Sequence, residues 1–116
     1  MNKSAKILFV CSANKERSKT ADEYFSLKYD RDDYQFDSAG TNLKTCFQEG
    51  TNPLTEELVL WADIIFAMEK KHKTFISSIT KEKCDSKIKT LNIPDRFKYY
   101  QKELIELLEE KMEPYL

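Results

Sequence analysis

Apolar residues occur in two patterns along the chain. Ile7-Leu8-Phe9-Val10 and Ile64-Ile65-Phe66-Ala67-Met68 are unbroken apolar runs, as expected of parallel strands covered on both faces. Elsewhere the apolar positions recur at helical spacing, with charged residues between them. From Arg17 onward these are Ala21, Tyr24, Phe25 and Leu27; after a start at Thr51-Asn52-Pro53 they are Leu54, Leu58 and Trp61. Phe75, Ile76 and Ile79 mark a third helix from Glu69 to about Ile79. Leu104, Ile105, Leu107, Leu108 and Met112 mark a last one from about Gln101 to Met112, ended by Pro114. Tyr34-Gln35-Phe36 predicts a short strand stopped at Ser38-Ala39-Gly40-Thr41, where Gly40 and Asn42 suit a turn with unusual backbone angles. Ile88 to Ile93 predicts a weaker strand. Strands alternating with helices predict an α/β class fold: three layers, α/β/α, around a mostly parallel, four-stranded sheet, with residues 1–116 as a single domain.

Composition narrows the function classes. The chain has 116 residues, of which 34% are charged and 41% hydrophobic, and a formal net charge of -1. That balance gives no general attraction to nucleic acid or to an anionic membrane, so neither is expected as a partner. No apolar run approaches the roughly 18 to 20 residues of a membrane span, and the start of the chain reads as a poor signal peptide. Cys11, Cys46 and Cys84 are odd in number and form neither a disulfide framework nor a structural zinc set. A reducing, cytoplasmic location is the simplest expectation. His72, set among Lys70, Lys71 and Lys73, has no second ligand at useful spacing. It reads as a surface histidine on a solvated helix face, and no metal site or cofactor is expected. Trp61 reads as core.

The apolar strand ends at Cys11, and the polar stretch Ser12-Ala13-Asn14-Lys15-Glu16 leads to Arg17-Ser18 at a helix start. Two roles compete for Cys11: a core residue, or a nucleophile in an anion-binding loop. In open parallel sheets ligands gather beyond the carboxyl ends of the strands, which is where Cys11 falls. Small residues after it let the backbone curl so that successive N–H groups, with the free ones of the following helix, face one point. Arg17 supplies a rigid fork of donors for a tetrahedral oxyanion. A thiolate favoured by that positive potential can attack phosphorus and form a phosphocysteine.

The segment Cys11-Ser12-Ala13-Asn14-Lys15-Glu16-Arg17-Ser18 resembles the phosphate-binding loop of the low-molecular-weight protein tyrosine phosphatases. Ala21-Asp22, Asp37-Ser38-Ala39-Gly40-Thr41, Ala62 to Met68 and Ile93-Pro94-Asp95-Arg96-Phe97 are similar to later segments of that family, most closely to a compact bacterial branch. The resemblance implies a phosphotyrosine protein phosphatase I-like fold. It implies Cys11 as nucleophile, Arg17 as transition-state clamp, Asn14 as keeper of the loop's shape, Ser18 as aid to the thiolate and Asp95 as general acid. Tyr99 and Tyr100 are candidates for the aromatic wall of a phosphotyrosine cleft. The implied substrate is a phosphotyrosine protein or a small aryl phosphate. The chain departs from the family pattern at Ala13, Glu16, Lys19 and in placing Pro94 before Asp95. Glu16 beside a dianionic phosphate would cost affinity unless it points away or pairs with Lys15 or Lys19. Two other readings stay open: a phosphate- or phosphoprotein-binding module with little or no turnover, and an arsenate reductase relaying through Cys84.

Overall fold

The computed structural model describes residues 5–29 and 33–116. The first four residues and residues 30–32, which the single-domain reading also spans, lie outside it. Strand β1 (Ala5–Cys11), helix α1 (Arg17–Lys28) and strand β2 (Tyr34–Gly40) come first. Helices α2 (Leu43–Glu49) and α3 (Glu56–Trp61) then lead to strand β3 (Ile64–Ala67). Helix α4 (Lys70–Thr80), strand β4 (Ile88–Thr90) and helix α5 (Lys102–Met112) complete the order.

The sheet has four strands in the order β2-β1-β3-β4, every pair parallel. Alternate side chains of the two apolar strands feed separate cores, because successive side chains leave a strand on opposite faces. Ile7, Phe9, Cys11, Phe66 and Met68 pack with Ala21 and Phe25 of α1 and with Leu104, Leu108 and Met112 of α5. Leu8, Val10, Ile65 and Ala67 pack with Val59 of α3 and Ile76 of α4. The result is the three-layer α/β/α arrangement, with helices closing both faces. Phe9 binds its core together, its ring stacked on those of Phe25, Phe36 and Phe66 at 5.8 to 6.1 Å.

Several local expectations are corrected. The Thr51-Asn52-Pro53 stretch does not start a helix; Pro53 makes an isolated bridge to Gly40, and α3 begins later, with Thr55 Oγ1 accepting from Leu58 N–H at 3.1 Å. Helix α2 was not legible: its apolar residues Leu43 and Phe47 point to solvent, and only Cys46 is buried. Asn42 caps that helix, accepting from Thr45 N–H at 3.1 Å, and its φ is negative, at -85°. The left-handed glycine is Gly50 (φ 70°), not Gly40. Leu27 is exposed and Trp61 is only half-buried; the last α-helix ends at Met112 as expected, and Pro114 sits in a 3-10 turn that follows it. None of the helices among the described residues is long and apolar enough to cross a membrane.

Candidate active site

Cys11 is the last residue of β1, pairs in register with Gly40 and is buried. The loop after it is folded from outside by hydrogen bonds to its carbonyls. Thr41 N–H donates to Cys11 O at 2.9 Å, Asn42 N–H to Ser12 O at 2.9 Å, and Thr51 Oγ1 to Ala13 O at 2.6 Å. In a planar trans peptide the N–H lies opposite the C=O. Pinning three consecutive carbonyls outward therefore turns the intervening amides toward the cavity side. Gly40 makes this packing possible: a Cβ there would lie 2.5 Å from Ser12 O, 2.5 Å from Cys46 Sγ and 2.9 Å from Asn14 N.

Asn14 is buried in the left-handed region (φ 53°), which asparagine tolerates better than most residues. Its side chain is fixed at both ends. Oδ1 accepts from Asn52 N–H at 3.0 Å, and Nδ2 donates to Ser18 Oγ at 2.8 Å. Ser18 Oγ lies 2.9 Å from Cys11 Sγ and 3.5 Å from Ala39 O. With Asn14 occupying a lone pair of Ser18, the nearer target for the serine proton is the cysteine sulfur when that sulfur is deprotonated.

Arg17, the first residue of α1, is only 2% exposed. Its Nη1 donates to Glu69 Oε2 at 2.5 Å and to Ile93 O at 2.8 Å, while Nη2 lies 3.7 Å from Asp95 Oδ2. A buried guanidinium needs such partners, and each comes from the carboxyl end of a strand or the segment after it. Glu69 follows β3; its carboxyl is held below the ordinary range chiefly by the Arg17 hydrogen bond. Ile93 is anchored by its N–H to Met68 O at 2.8 Å, and buried Phe97 holds the far side of the loop. Asp95 projects between them, with its side chain exposed, so the Pro94-Asp95-Arg96 order still delivers it to the rim.

Cys11, Ser12, Ala13, Lys15, Glu16, Arg17 and Asp95 line one small cavity of about 70 Å³. The structure thus gathers most of the sequence candidates, with Asn14 and Ser18 buried directly behind. Glu16 also lines the cavity. Lys15 pairs with Glu49 at 3.6 Å, and none of the ion pairs among the described residues joins Glu16 to Lys15 or Lys19. Tyr99 and Tyr100 do not line this cavity. Tyr99 OH hydrogen-bonds to Glu23, and Tyr100 N–H donates to Thr20 Oγ1 at 2.9 Å. These bonds draw both rings onto α1, where they line a separate groove with Asp22, Glu23, Ser26 and Leu27.

His72 is the largest departure from expectation. It is fully buried, and its Nδ1 accepts from Glu69 N–H at 3.0 Å while Nε2 lies 2.9 Å from Ser12 Oγ. An accepting Nδ1 puts the ring proton of neutral histidine on Nε2, which therefore donates to Ser12. Burial first, then the Arg17 charge, pushes its pKa down from 6.5 to about 4, so the ring is neutral near pH 7. The signal was present in the sequence as His72, Ile76 and Thr80, a four-residue repeat that proves buried throughout. Glu69 had only its place after an apolar strand to recommend it. Cys84 precedes β4 and so lies toward the amino edge of the parallel sheet, whereas Cys11 ends β1 at the carboxyl edge.

Deep donors around a sulfur, a clamped guanidinium and a carboxylate at the rim suit a tetrahedral oxyanion held against a nucleophile. No protein-family model matches the sequence, and no curated protein matches it. Solved structures do match. A low-molecular-weight protein tyrosine phosphatase from T. tengcongensis is 26% identical with a TM-score of 0.71, covering 97% of this chain and 100% of its own. SP-PTP from Streptococcus pyogenes, of the same description, has a TM-score of 0.76 at 16% identity, covering 97% of this chain and 93% of its own. YwlE arginine phosphatase from Geobacillus stearothermophilus has a TM-score of 0.73 at 24% identity, covering 93% and 90%. These likenesses show that the chain shares the fold of low-molecular-weight protein tyrosine phosphatases over nearly its whole length, and they support a cysteine-dependent, phosphatase-like hydrolase chemistry.

Proposed function

We propose that this protein is a cytoplasmic phosphatase, one domain over residues 1–116, that hydrolyses aryl phosphate monoesters, foremost protein phosphotyrosine, through a phosphocysteine. The observation that carries the reading is the Cys11 sulfur 2.9 Å from Ser18 Oγ in a cavity shared with Arg17 and Asp95. The Cys11 thiolate attacks phosphorus as the bond to the leaving oxygen breaks, and Asp95 gives its proton to that oxygen. The amides of residues 12–17 and Arg17 take up the charge on the equatorial oxygens. In the second step Asp95 takes a proton from water, the water oxygen attacks phosphorus, and the S–P electron pair returns to Cys11. Ser18 then donates its hydroxyl to the sulfur, and phosphate departs. Neither step uses a metal or a cofactor.

The test is hydrolysis of p-nitrophenyl phosphate by reduced protein between pH 5 and 7, with inhibition by vanadate. Cys11→Ser should abolish turnover, and Asp95→Asn should slow it by ~10²–10⁴. Phosphate affinity without turnover would replace the enzyme with a binding module. An arsenate-reducing relay is disfavoured by Cys84, which lies toward the opposite edge of the sheet from Cys11.

One observation favours a second substrate. Glu16 and Asp95 put two carboxylates on a cavity built for an anion, which suits a phosphorylated group with a cationic side, as in phosphoarginine. The Geobacillus relative is described as an arginine phosphatase. Glu16→Gln should lower kcat/KM for a phosphoarginine peptide several-fold while raising or sparing that for phosphotyrosine. Equal effects on both would remove this second reading.

A further inference from the structure

The charges of this chain are sorted in space. Residues 69–89 carry seven lysines against three carboxylates, a net +4 in a chain whose total is -1, which leaves -5 on the remainder. That stretch contains α4, and an open groove of about 800 Å³ runs along the helix toward the end of β4. Lys70, Lys73 and Lys81 line it, with Ser77, Thr90 and Asn92, and Glu82 is its one acidic member among the described residues. None of the ion pairs among the described residues uses any of these three lysines.

The groove begins at the wall of the candidate active site. Lys70 follows Glu69, which accepts from Arg17, and Asn92 precedes Ile93, whose carbonyl accepts from the same guanidinium. Lys70 and Lys81 are separated by nearly the whole of α4, about 16 Å at the helical rise. That is too far apart for one small anion and matches about five residues of extended chain. No aromatic side chain lines the groove, so it offers no platform for nucleic-acid bases.

We propose that this groove holds an acidic polypeptide segment flanking the phosphorylated residue, so that the preferred substrates are phosphoproteins with several Asp or Glu residues to one side of the phosphate. The proposal rests on the phosphatase reading for its turnover arm but not for its binding arm. Each ammonium contributes a modest, salt-screened attraction at an exposed site, and three acting in register set a preference instead of an absolute requirement.

The test compares phosphotyrosine peptides flanked by acidic or by alanine residues, using wild type and Lys73→Glu/Lys81→Glu. Lys70 is left intact because it adjoins the Arg17 partner. Wild type should favour the acidic peptide by about tenfold in kcat/KM at low salt, falling toward parity in 0.5 M salt, where the Debye length shrinks to roughly 4 Å. The double variant should lose that preference while keeping wild-type kcat/KM on p-nitrophenyl phosphate. Fluorescence anisotropy on Cys11→Ser reads the same preference as binding, so a chain without turnover still reports on the groove. Equal handling of the two peptides by wild type, or a preference that survives the double variant, would overturn the proposal. So would tighter binding of a single-stranded RNA 12-mer than of the acidic peptide.

Discussion

His72 Nδ1 accepts the Glu69 N–H, which fixes the ring proton on Nε2 and aims it at Ser12 Oγ. Ser12 thus receives a hydrogen bond from behind and keeps its own hydroxyl proton for the cavity that it lines with Cys11 and Arg17. On the proposed phosphatase reading, Ser12 would donate to a bound phosphate, with His72 a positioning residue acting through it. Removing the hydroxyl in Ser12→Ala should lower kcat/KM for p-nitrophenyl phosphate about tenfold, ~1.4 kcal/mol of transition-state stabilisation. His72→Phe, which keeps the bulk but loses the donor, should cost a similar factor. Because the two act as one unit, the double variant should be no worse than the poorer single one. Losses that multiply would show that His72 acts on something other than Ser12.

At the scale of elements, the loop between β1 and α1 takes its shape from β2 and the segments around α2. Gly40 carries this dependence, since its missing Cβ is what lets Ser12 O and Asn14 N approach β2. Gly40→Ala puts a methyl against backbone atoms that cannot move without unfolding the loop, a small-to-large change of the kind that costs ~1–3 kcal/mol. A fall in thermal midpoint together with loss of phosphate protection of Cys11 against alkylation is expected; unchanged protection would mean that the loop's shape does not depend on β2. The sequence made Gly40 conspicuous for the wrong reason, as a turn glycine with unusual angles. The apolar runs that became β1 and β3, and the stripes that became α4 and α5, were legible because burial alone sets their pattern. Helix α2 was not, because a short helix with one buried residue has no stripe to show. That Cys11, Arg17 and Asp95 would come together around one cavity was legible through their spacing and resemblance. Glu69 and His72 were not, because their contacts with Arg17 and Ser12 join parts of the chain more than fifty residues apart.

Across the whole molecule, the titrating groups set a window of stability that can be worked out by sign. His72 has its pKa pushed down from 6.5 to about 4 by burial, so between those values the unfolded chain binds a proton that the folded one refuses. Its contribution is complete above about pH 6.5 and is lost as the pH falls toward 4, on the order of 3 kcal/mol for a shift of this size. Glu69, held down by Arg17, and Glu109, held down by Lys28, act in the same direction further into acid. Asp22 opposes them, because burial raises its carboxyl and lets the folded state keep that proton. At the alkaline end, Glu109 raises both Lys28 and Tyr24 above their ordinary 10.5 and 10.0. For these two the folded state binds the proton more tightly, so their contribution is lost as the pH rises past about 10. Stability should therefore be greatest on a plateau between about pH 6.5 and 10, above the isoelectric point near 5.9, since it follows differential proton binding and not net charge. Thermal midpoints measured from pH 3 to 11 should show the first decline between pH 6.5 and 4, and His72→Phe should flatten that limb while leaving the alkaline one unchanged. A maximum at the isoelectric point, or an acid limb of the same steepness in His72→Phe, would show that the buried histidine does not govern the first loss of structure.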